Sequence, residues 1–342
     1  MAATNIEVWQ QATVVETAAV TEQIQRIVLR PDLPRRADPG SHIDVKLLNG
    51  AASLQDEVLK RSYSVVESAD DGARLTISVF RAPSSRGGSL AMHALRVGDT
   101  LQITQPLQNF PLRIGAPRYL LLAGGIGITA IAAMARVLRE LHADYTLVYA
   151  GRSRADMAYL NELQELHGDR LVAHINDEGT NLEVASVVGA LAPDTELYMC
   201  GPIRLMDSVR RNWLERRLNP ANLRFETFGN SGWYAPQEFT VRIPRLGIEA
   251  TVGPDRSMLE ALEDAGADMM FDCRKGECGL CEVRVLRLDG AIDHRDVFYS
   301  ERQQKAAEKI CCCVSRVASV GGEAGAAQGS GQGLPSIVIE VP

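Results

Sequence analysis

The chain has 342 residues, 46% of them hydrophobic and 23% charged, with a formal net charge of −7. That is enough apolar material for two or three cores, and an acidic balance excludes nucleic acid as the expected partner, because binding phosphates needs a basic face. No apolar run reaches the roughly 18 residues a membrane-spanning helix needs, and the opening MAATNIEVWQQATVVETAAV lacks the basic start and apolar stretch of a signal peptide, so no membrane association and a cytoplasmic location are expected.

Residues 1–113 read as short strands between turn signals: ATVVETAAVT, QRIVLRP, HIDVKLL, RSYSVVES, RLTISVFRA and DTLQITQP. Such regular strands predict an antiparallel β-barrel or sandwich. The pattern changes over 114–228. RYLLLAG is a continuous apolar run, as expected of a strand covered on both faces. IAAMARVLREL follows at helical spacing, then DYTLVYAG, MAYLNELQELH, RLVAHIND, ELYMCG and PIRLMDSVRRNWLERR. Strands alternating with helices imply a parallel α/β sheet. Residues 229–237 read as a linker. The segment 238–342 then offers two strands in EFTVRIPRLGIEATV, a helix in SMLEALEDAG, a cysteine loop, a glycine-rich tail and a last strand, SIVIEV. From Glu238 onward 17 acidic residues face 12 basic ones, so this part carries −5 of the net −7. An acidic module of this kind is expected either to dock on a basic patch of another protein or simply to keep the chain soluble.

All seven cysteines lie beyond residue 199, in contrast to the spread that staples an oxidised secreted scaffold. In FDCRKGECGLCEVRV, Cys273, Cys278 and Cys281 are spaced C-x4-C-x2-C, with more cysteines some thirty residues on. This is the plant-type ligand pattern of a [2Fe–2S] cluster. A zinc site would favour paired C-x2-C knuckles, and only one such pair is present. The fourth ligand is open on spacing, which by itself favours Cys311 over Cys312 and Cys313.

LLLAGGIGITA leads from a buried strand through a glycine loop into a helix, so the backbone at Gly124, Gly125 and Gly127 can approach a pyrophosphate; a tight structural turn is the plainer alternative. YMCGP ends a later strand, where α/β folds place ligands, although Cys200 could equally be a small buried apolar residue. RSYSVVES puts Arg61, Tyr63 and Ser64 on a strand as a fork, a flat face and a donor, and RGGS at 86–89 is a candidate phosphate cradle or a turn.

Taken in order, RSYS, RGGS, GGIGIT, CGP and C-x4-C-x2-C…CVSR resemble the phthalate dioxygenase reductase and vanillate O-demethylase reductase family over nearly the whole chain. The resemblance implies a multidomain α/β and β protein: an antiparallel flavin-binding β-barrel, a parallel α/β nucleotide-binding domain of the ferredoxin-reductase type, and a C-terminal β-grasp ferredoxin. It implies that Arg61, Ser62, Tyr63, Ser64, Ser78, Val79, Phe80, Arg81, Gly87, Gly88 and Ser89 contact FMN. It places Gly124, Gly125, Gly127, Thr129, Cys200, Gly201 and Pro202 at NADH and Phe228 near the flavin ring. Since the family's last ligand is followed by Val and a small residue, it selects Cys313 as the fourth cluster ligand.

The implied activity is electron transfer from NADH through FMN and the [2Fe–2S] cluster to a Rieske-type oxygenase, by a monomeric reductase. Ser64, beside flavin N5, and Cys200, beside the nicotinamide, are the residues nearest the chemistry. Arg152 and Arg154 in RSRADM keep NADPH as the alternative donor. A reductase for a non-Rieske hydroxylase and a non-catalytic electron carrier are the alternative functions. No acid–base dyad is required, so His93, His174 and His294 are expected to be surface or structural residues.

Overall fold

The computed structural model describes residues 7–48, 58–82, 87–228, 232–319 and 334–341. Arg86 of the RGGS turn, 229–231 of the linker and 320–333 of the glycine-rich tail lie outside the described residues. The chain divides into two units, one of residues 1–201 with 208–226 and one of 202–207 with 227–342.

The first unit opens with β1 (Trp9–Thr21), β2 (Ile24–Pro31), β3 (Ser41–Leu48), β4 (Val58–Ala69) and β5 (Arg74–Phe80), then a short helix α1 (Gly88–His93), β6 (Thr100–Thr104) and β7 (Leu107–Gln108). Pairing runs β4-β5-β2-β1-β6-β3, and a β3–β4 pairing closes the ring, with β7 added on β3. The pairs around the ring are antiparallel. Alternation sends Val14, Ile27, Ile43, Val45, Ile77 and Ile103 inward. Closure leaves these hydrogen-bonding edges satisfied.

The parallel sheet follows: β8 (Arg118–Gly124), α2 (Ile128–Glu140), β9 (Tyr145–Gly151), α3 (Leu160–His167), β10 (Leu171–Ile175), α4 (Val184–Gly189), β11 (Thr195–Cys200), α5 (Ile203–Glu215) and β12 (Leu223–Glu226). The strand order is β10-β9-β8-β11-β12, every pair parallel. Chain order reverses between β8 and β11, so a crevice opens at their C-terminal ends. Every β8 residue after Arg118 is buried, because helices cover both faces. The apolar stripe of α2, including Ile131, Met134, Ala135 and Leu138, is buried at helical spacing. This helix packs on β8, β9 and β11 and also on β4 of the barrel.

A buried His167 closes the other end of this sheet, 2.6 Å from the Tyr145 hydroxyl through Nδ1. Burial, with Arg139, Arg136 and Arg170 adding to it, pushes its pKa down to about 4. An unfolded histidine titrates at about 6.5, so between these values the unfolded chain binds the extra proton and stability falls as pH falls. The loss of Tm between about pH 7 and about pH 5 is expected to be smaller in His167→Gln than in the parent; equal losses would remove His167 as a source of the acid sensitivity.

The second unit carries β13 (Phe239–Ile243), β14 (Ile248–Val252), α6 (Met258–Asp264), β15 (Glu282–Asp289), β16 (Ala291–Asp293), α7 (Glu301–Ala306), β17 (Lys309–Cys311), β18 (Arg316–Ala318) and β19 (Ser336–Glu340). The order is β14-β13-β19-β15-β17, with only β13–β19 parallel, and β16 pairs with β18. This is a β-grasp sheet, and α6 buries Met258, Leu259 and Leu262 against Phe239, Val241 and Ile337. A capping box between Ser257 and Glu260 starts α6 by satisfying its free N–H groups. No helix among the described residues is long and apolar enough to cross a membrane.

Candidate functional site

On β4 the strand alternation separates the RSYS residues. Tyr63 packs against the barrel core, and burial raises its phenol above the ordinary range. Arg61 lies over the first turn of α1: a Cβ placed on Gly88 would sit 3.0 Å from Arg61 Cγ and 3.1 Å from Nε. Gly87, before the helix, takes φ +84°, a left-handed conformation that favours glycine. The Arg61 guanidinium, whose Nη1 donates to the Lys60 carbonyl at 2.9 Å, therefore meets the glycine turn, and a guanidinium is a donor suited to a phosphate. Ser64 is buried, and its hydroxyl makes a long 3.4 Å contact to the Glu226 carboxylate at the end of β12.

Other residues that the resemblance places at the flavin are engaged elsewhere. Ser62 donates to Asp44 at 2.5 Å, in a group that includes Lys60 at 2.9 Å from the same carboxylate. Burial works to raise Asp44, but Ser62 and Lys60 outweigh it and hold the carboxyl below its usual value. The Ser78 hydroxyl lies 2.5 Å from that of Tyr159, and Val79 points into the barrel core. Phe80 is half-buried and Arg81 exposed. Ser89 accepts from the Ala82 N–H at 3.3 Å, bridging β5 to α1.

At the β8–β11 crevice the glycine loop and the CGP turn touch through backbone. A Cβ on Gly127 would lie 2.2 Å from the Cys200 carbonyl oxygen and 2.9 Å from Gly201 N. Gly125 has φ +54° and nothing within 4 Å of a Cβ, so its backbone faces open space. Thr129 is buried, and its hydroxyl donates to the Ile126 carbonyl at 2.9 Å, which steadies the loop from inside. The Cys200 side chain is buried, Gly201 half-buried and Pro202 exposed. Of the two arginines after β9, Arg154 makes a two-point contact with Glu178, Nε to Oε1 at 2.9 Å and Nη2 to Oε2 at 2.8 Å.

In the second unit the cysteine loop wraps one sulfur. Cys273 Sγ accepts from the N–H groups of Lys275, Glu277 and Cys278, each at 3.4 Å. The Cys313 thiol also donates to Cys273, and this contact first, with the three N–H groups behind it and against burial, brings Cys273 down to about 4. Cys281 is brought down to about 3 by Cys311 and Cys313. Cys311 and Cys313, as the donors, are pushed up. Cys273 also touches Cys278, so contacts run Cys278–Cys273–Cys313–Cys281, with Cys311 attached at Cys281. Five linked sulfurs with N–H groups turned in on one of them fit a cluster that needs four thiolates and hydrogen bonds to offset its charge. Cys312 points into the ferredoxin core with no exposure. The LRLDGA stretch before His294 holds the end of β15, with the bulge between Val285 and Arg287 at its start, and the turn into β16.

Sequence reasoning missed Glu226, Thr227 and the buried run Asp293–Asp296. Thr227 N–H donates to Glu277 Oε1 at 2.7 Å. Burial raises the Glu277 carboxyl, and the Thr227 bonds act against that. The available signal was the FETF segment, in which a carboxylate and a hydroxyl stand between two aromatic residues.

Residues 121–211 match the family model described as an oxidoreductase NAD-binding domain, and 241–318 match the 2Fe-2S iron-sulfur cluster binding domain. Tetrachlorobenzoquinone reductase of Sphingobium chlorophenolicum is 37% identical over 320 residues, 89% of this chain and 94% of that protein. Phenoxybenzoate dioxygenase subunit beta of Ectopseudomonas oleovorans is 35% identical over 288 residues, 83% of this chain and 86% of that protein. The solved structure of phthalate dioxygenase reductase superimposes with a TM-score of 0.69 at 26% identity, over 97% of this chain and 98% of that one. Closed barrel, parallel sheet and β-grasp domain occur here in one chain, and the likeness runs almost end to end; the chain belongs to the phthalate dioxygenase reductase family of NAD-dependent, flavin-holding electron-transfer oxidoreductases with a [2Fe–2S] domain.

Proposed function

We propose that the protein is the reductase component of a Rieske-type aromatic-ring oxygenase or demethylase system, drawing on NADH and delivering electrons to the oxygenase. The observation that carries this reading is the presence of three sites in one chain: the Arg61–Gly88 cradle, the glycine crevice and the linked cysteines. When bound, FMN can take a hydride from NADH and release electrons singly to a cluster.

The chain's own residues hold and orient these groups. Arg61 and the turn at Gly87, Gly88 and Ser89 grip the FMN phosphate, and Tyr63 offers a flat face. Ser64, backed by Glu226, presents its hydroxyl at the reacting edge. Gly124, Gly125, Gly127 and Gly201 let the NADH pyrophosphate approach the backbone, and Cys200 and Pro202 border the nicotinamide end. Glu178 occupies Arg154, one of the two arginines that keep NADPH as the alternative to NADH. Cys273, Cys278, Cys281 and Cys313 hold the cluster. Cys313 is preferred over Cys311 because it meets both Cys273 and Cys281. Ser62, Ser78 and Val79 take supporting roles in the barrel. Phe80 and Arg81 are left at the strand end beside the flavin, and Thr129 braces the NADH loop.

Anaerobically purified protein is expected to release FMN and equal amounts of iron and sulfide, and to reduce ferricyanide faster with NADH than with NADPH. Zinc in place of iron and sulfide would sink the cluster assignment. The likeness to a tetrachlorobenzoquinone reductase favours a second reading, a halogenated quinone as direct acceptor. Turnover with a purified Rieske oxygenase supports the first reading; quinone reduction that survives removal of the cluster supports the second.

A further inference from the structure

Two hydrogen-bonded grips hold the chain after β12 within the second unit, one on the cysteine loop and one on the run Asp293–Arg295 that backs it. In the first, the Thr227 N–H donates to Glu277 at 2.7 Å, and its hydroxyl lies 2.7 Å from the Lys275 carbonyl and 2.9 Å from the Glu277 carboxylate. Lys275 and Glu277 sit between Cys273 and Cys278, and Thr227 is buried.

The second grip is a buried ion pair. Asp293 Oδ1 accepts from the Trp233 N–H at 2.8 Å, while its Oδ2 lies 2.7 Å from Arg295 Nε and 2.6 Å from Nη2. Arg295 Nη2 reaches on to the Tyr234 carbonyl at 3.1 Å. Gly232 is needed beside it, because a Cβ there would be 2.3 Å from Arg295 Nε. The same short run holds the cysteines from behind. The Arg295 N–H donates to Ser315 Oγ at 3.2 Å, Ser315 donates to Asp296 at 3.0 Å, and the Val297 N–H donates to the Gly276 carbonyl at 3.0 Å. A buried ion pair adds little net stability over apolar packing, so its use here is geometric.

We propose that Thr227 with Glu277, and Arg295 with Asp293, are positioning residues: they clamp the cysteine loop to the chain that leaves β12 and so set the rate of electron passage from flavin to cluster. This rests on the electron path proposed above. The role of the clamp differs from support of the cluster itself, which would change cluster content rather than rate per loaded cluster.

The experiment uses the full-length holoprotein with Thr227→Val, Thr227→Ser, Gly232→Ala and Arg295→Leu. Hydrogen exchange at the Thr227 and Trp233 amides is read alongside iron content, NADH–ferricyanide turnover and the stopped-flow bleaching of the cluster by NADH. Exchange is expected to quicken at Thr227 in Thr227→Val and at Trp233 in the other two, with iron and ferricyanide turnover retained. The bleaching rate is expected to fall about tenfold, as a population shift of one or two lost hydrogen bonds allows, with Thr227→Ser restoring it. Unchanged exchange in all variants would show that the grips hold nothing. Quickened exchange with an unchanged rate, or slowing only in proportion to lost iron, would overturn the positioning role. A parent protein that does not oxidise NADH would sink the underlying reading and the rate role with it, while the exchange result would still judge the grips themselves. If Arg295→Leu fails to fold, Gly232→Ala and Thr227→Val decide.

Discussion

Cys313→Ser is expected to strip most of the iron and sulfide from the protein while flavin content and NADH–ferricyanide turnover stay at the parent level. Serine oxygen is a harder and far less acidic donor than a thiol, and a poor match for iron in a sulfide cluster. The position is exacting because Cys313 contacts both Cys273 and Cys281, at opposite ends of the C-x4-C-x2-C loop. Cys311 contacts Cys281 and stands near Tyr299, at the end of β17 opposite Glu282. Cys311→Ser is therefore expected to keep most of the iron. Cys312→Ala removes a buried sulfur from the core and should cost roughly 1–2 kcal/mol of stability without touching the cluster. Iron, sulfide and the EPR signal of the reduced protein, measured on all three variants, decide the matter. Cluster loss with Cys311→Ser and retention with Cys313→Ser would move the fourth ligand to Cys311.

The cysteine triplet also shows where sequence reading stops. Ligand spacing depends on how many residues a hairpin and its bulge absorb, and the bulge at Val285 and Arg287 is a property of pairing with β19, which no local pattern announces. The barrel strands and the β8–α2 and β9–α3 units were legible because their apolar periods, two and 3.6, are sustained. The short helices α1, α4 and α7 have only six residues each and no such period. β12 was missed as well: LRFE is short and mixed, and it becomes a strand by pairing with β11. The run DHRD reads as a solvated loop, yet Asp293, His294, Arg295 and Asp296 are all buried. Burial of charge is stabilised by partners distant in sequence, such as Trp233 and Ser315, and hydropathy cannot register them. His294, expected at the surface or in a structural role, is buried with Nδ1 3.2 Å from Asp296 Oδ1. Ser62 and Ser78 show the converse limit. A motif names residues, but register and neighbouring elements decide which of their hydroxyls are already engaged.

Gly127→Ala is expected to damage both stability and the handling of NADH, and the cause lies in contact rather than conformation. Gly127 has φ −58°, which alanine adopts freely. Its added methyl would meet the Cys200 carbonyl oxygen at 2.2 Å, the Cys200 carbonyl carbon at 2.5 Å and Gly201 N at 2.9 Å. All three are backbone atoms, so no side chain can swing aside. Relief requires the glycine loop to separate from β11, although β8 and β11 are in register up to Ala123 and Cys200. Overpacking of this kind costs about 1–3 kcal/mol. The separation would also spoil the crevice floor on which the pyrophosphate is proposed to rest, so kcat/KM for NADH with ferricyanide should fall by at least about tenfold, some 1.4 kcal/mol of transition-state binding. Gly125→Ala is the control. There the φ of +54° charges a residue with a Cβ about 1–2 kcal/mol, but the methyl meets nothing within 4 Å. Its stability loss should be similar while the β8–β11 contact survives, so any loss of NADH affinity in Gly125→Ala must come from the methyl standing in the open space where the cofactor is proposed to approach. If Gly127→Ala keeps both the parent Tm and the parent KM for NADH, the close approach of loop and strand is not what shapes this site.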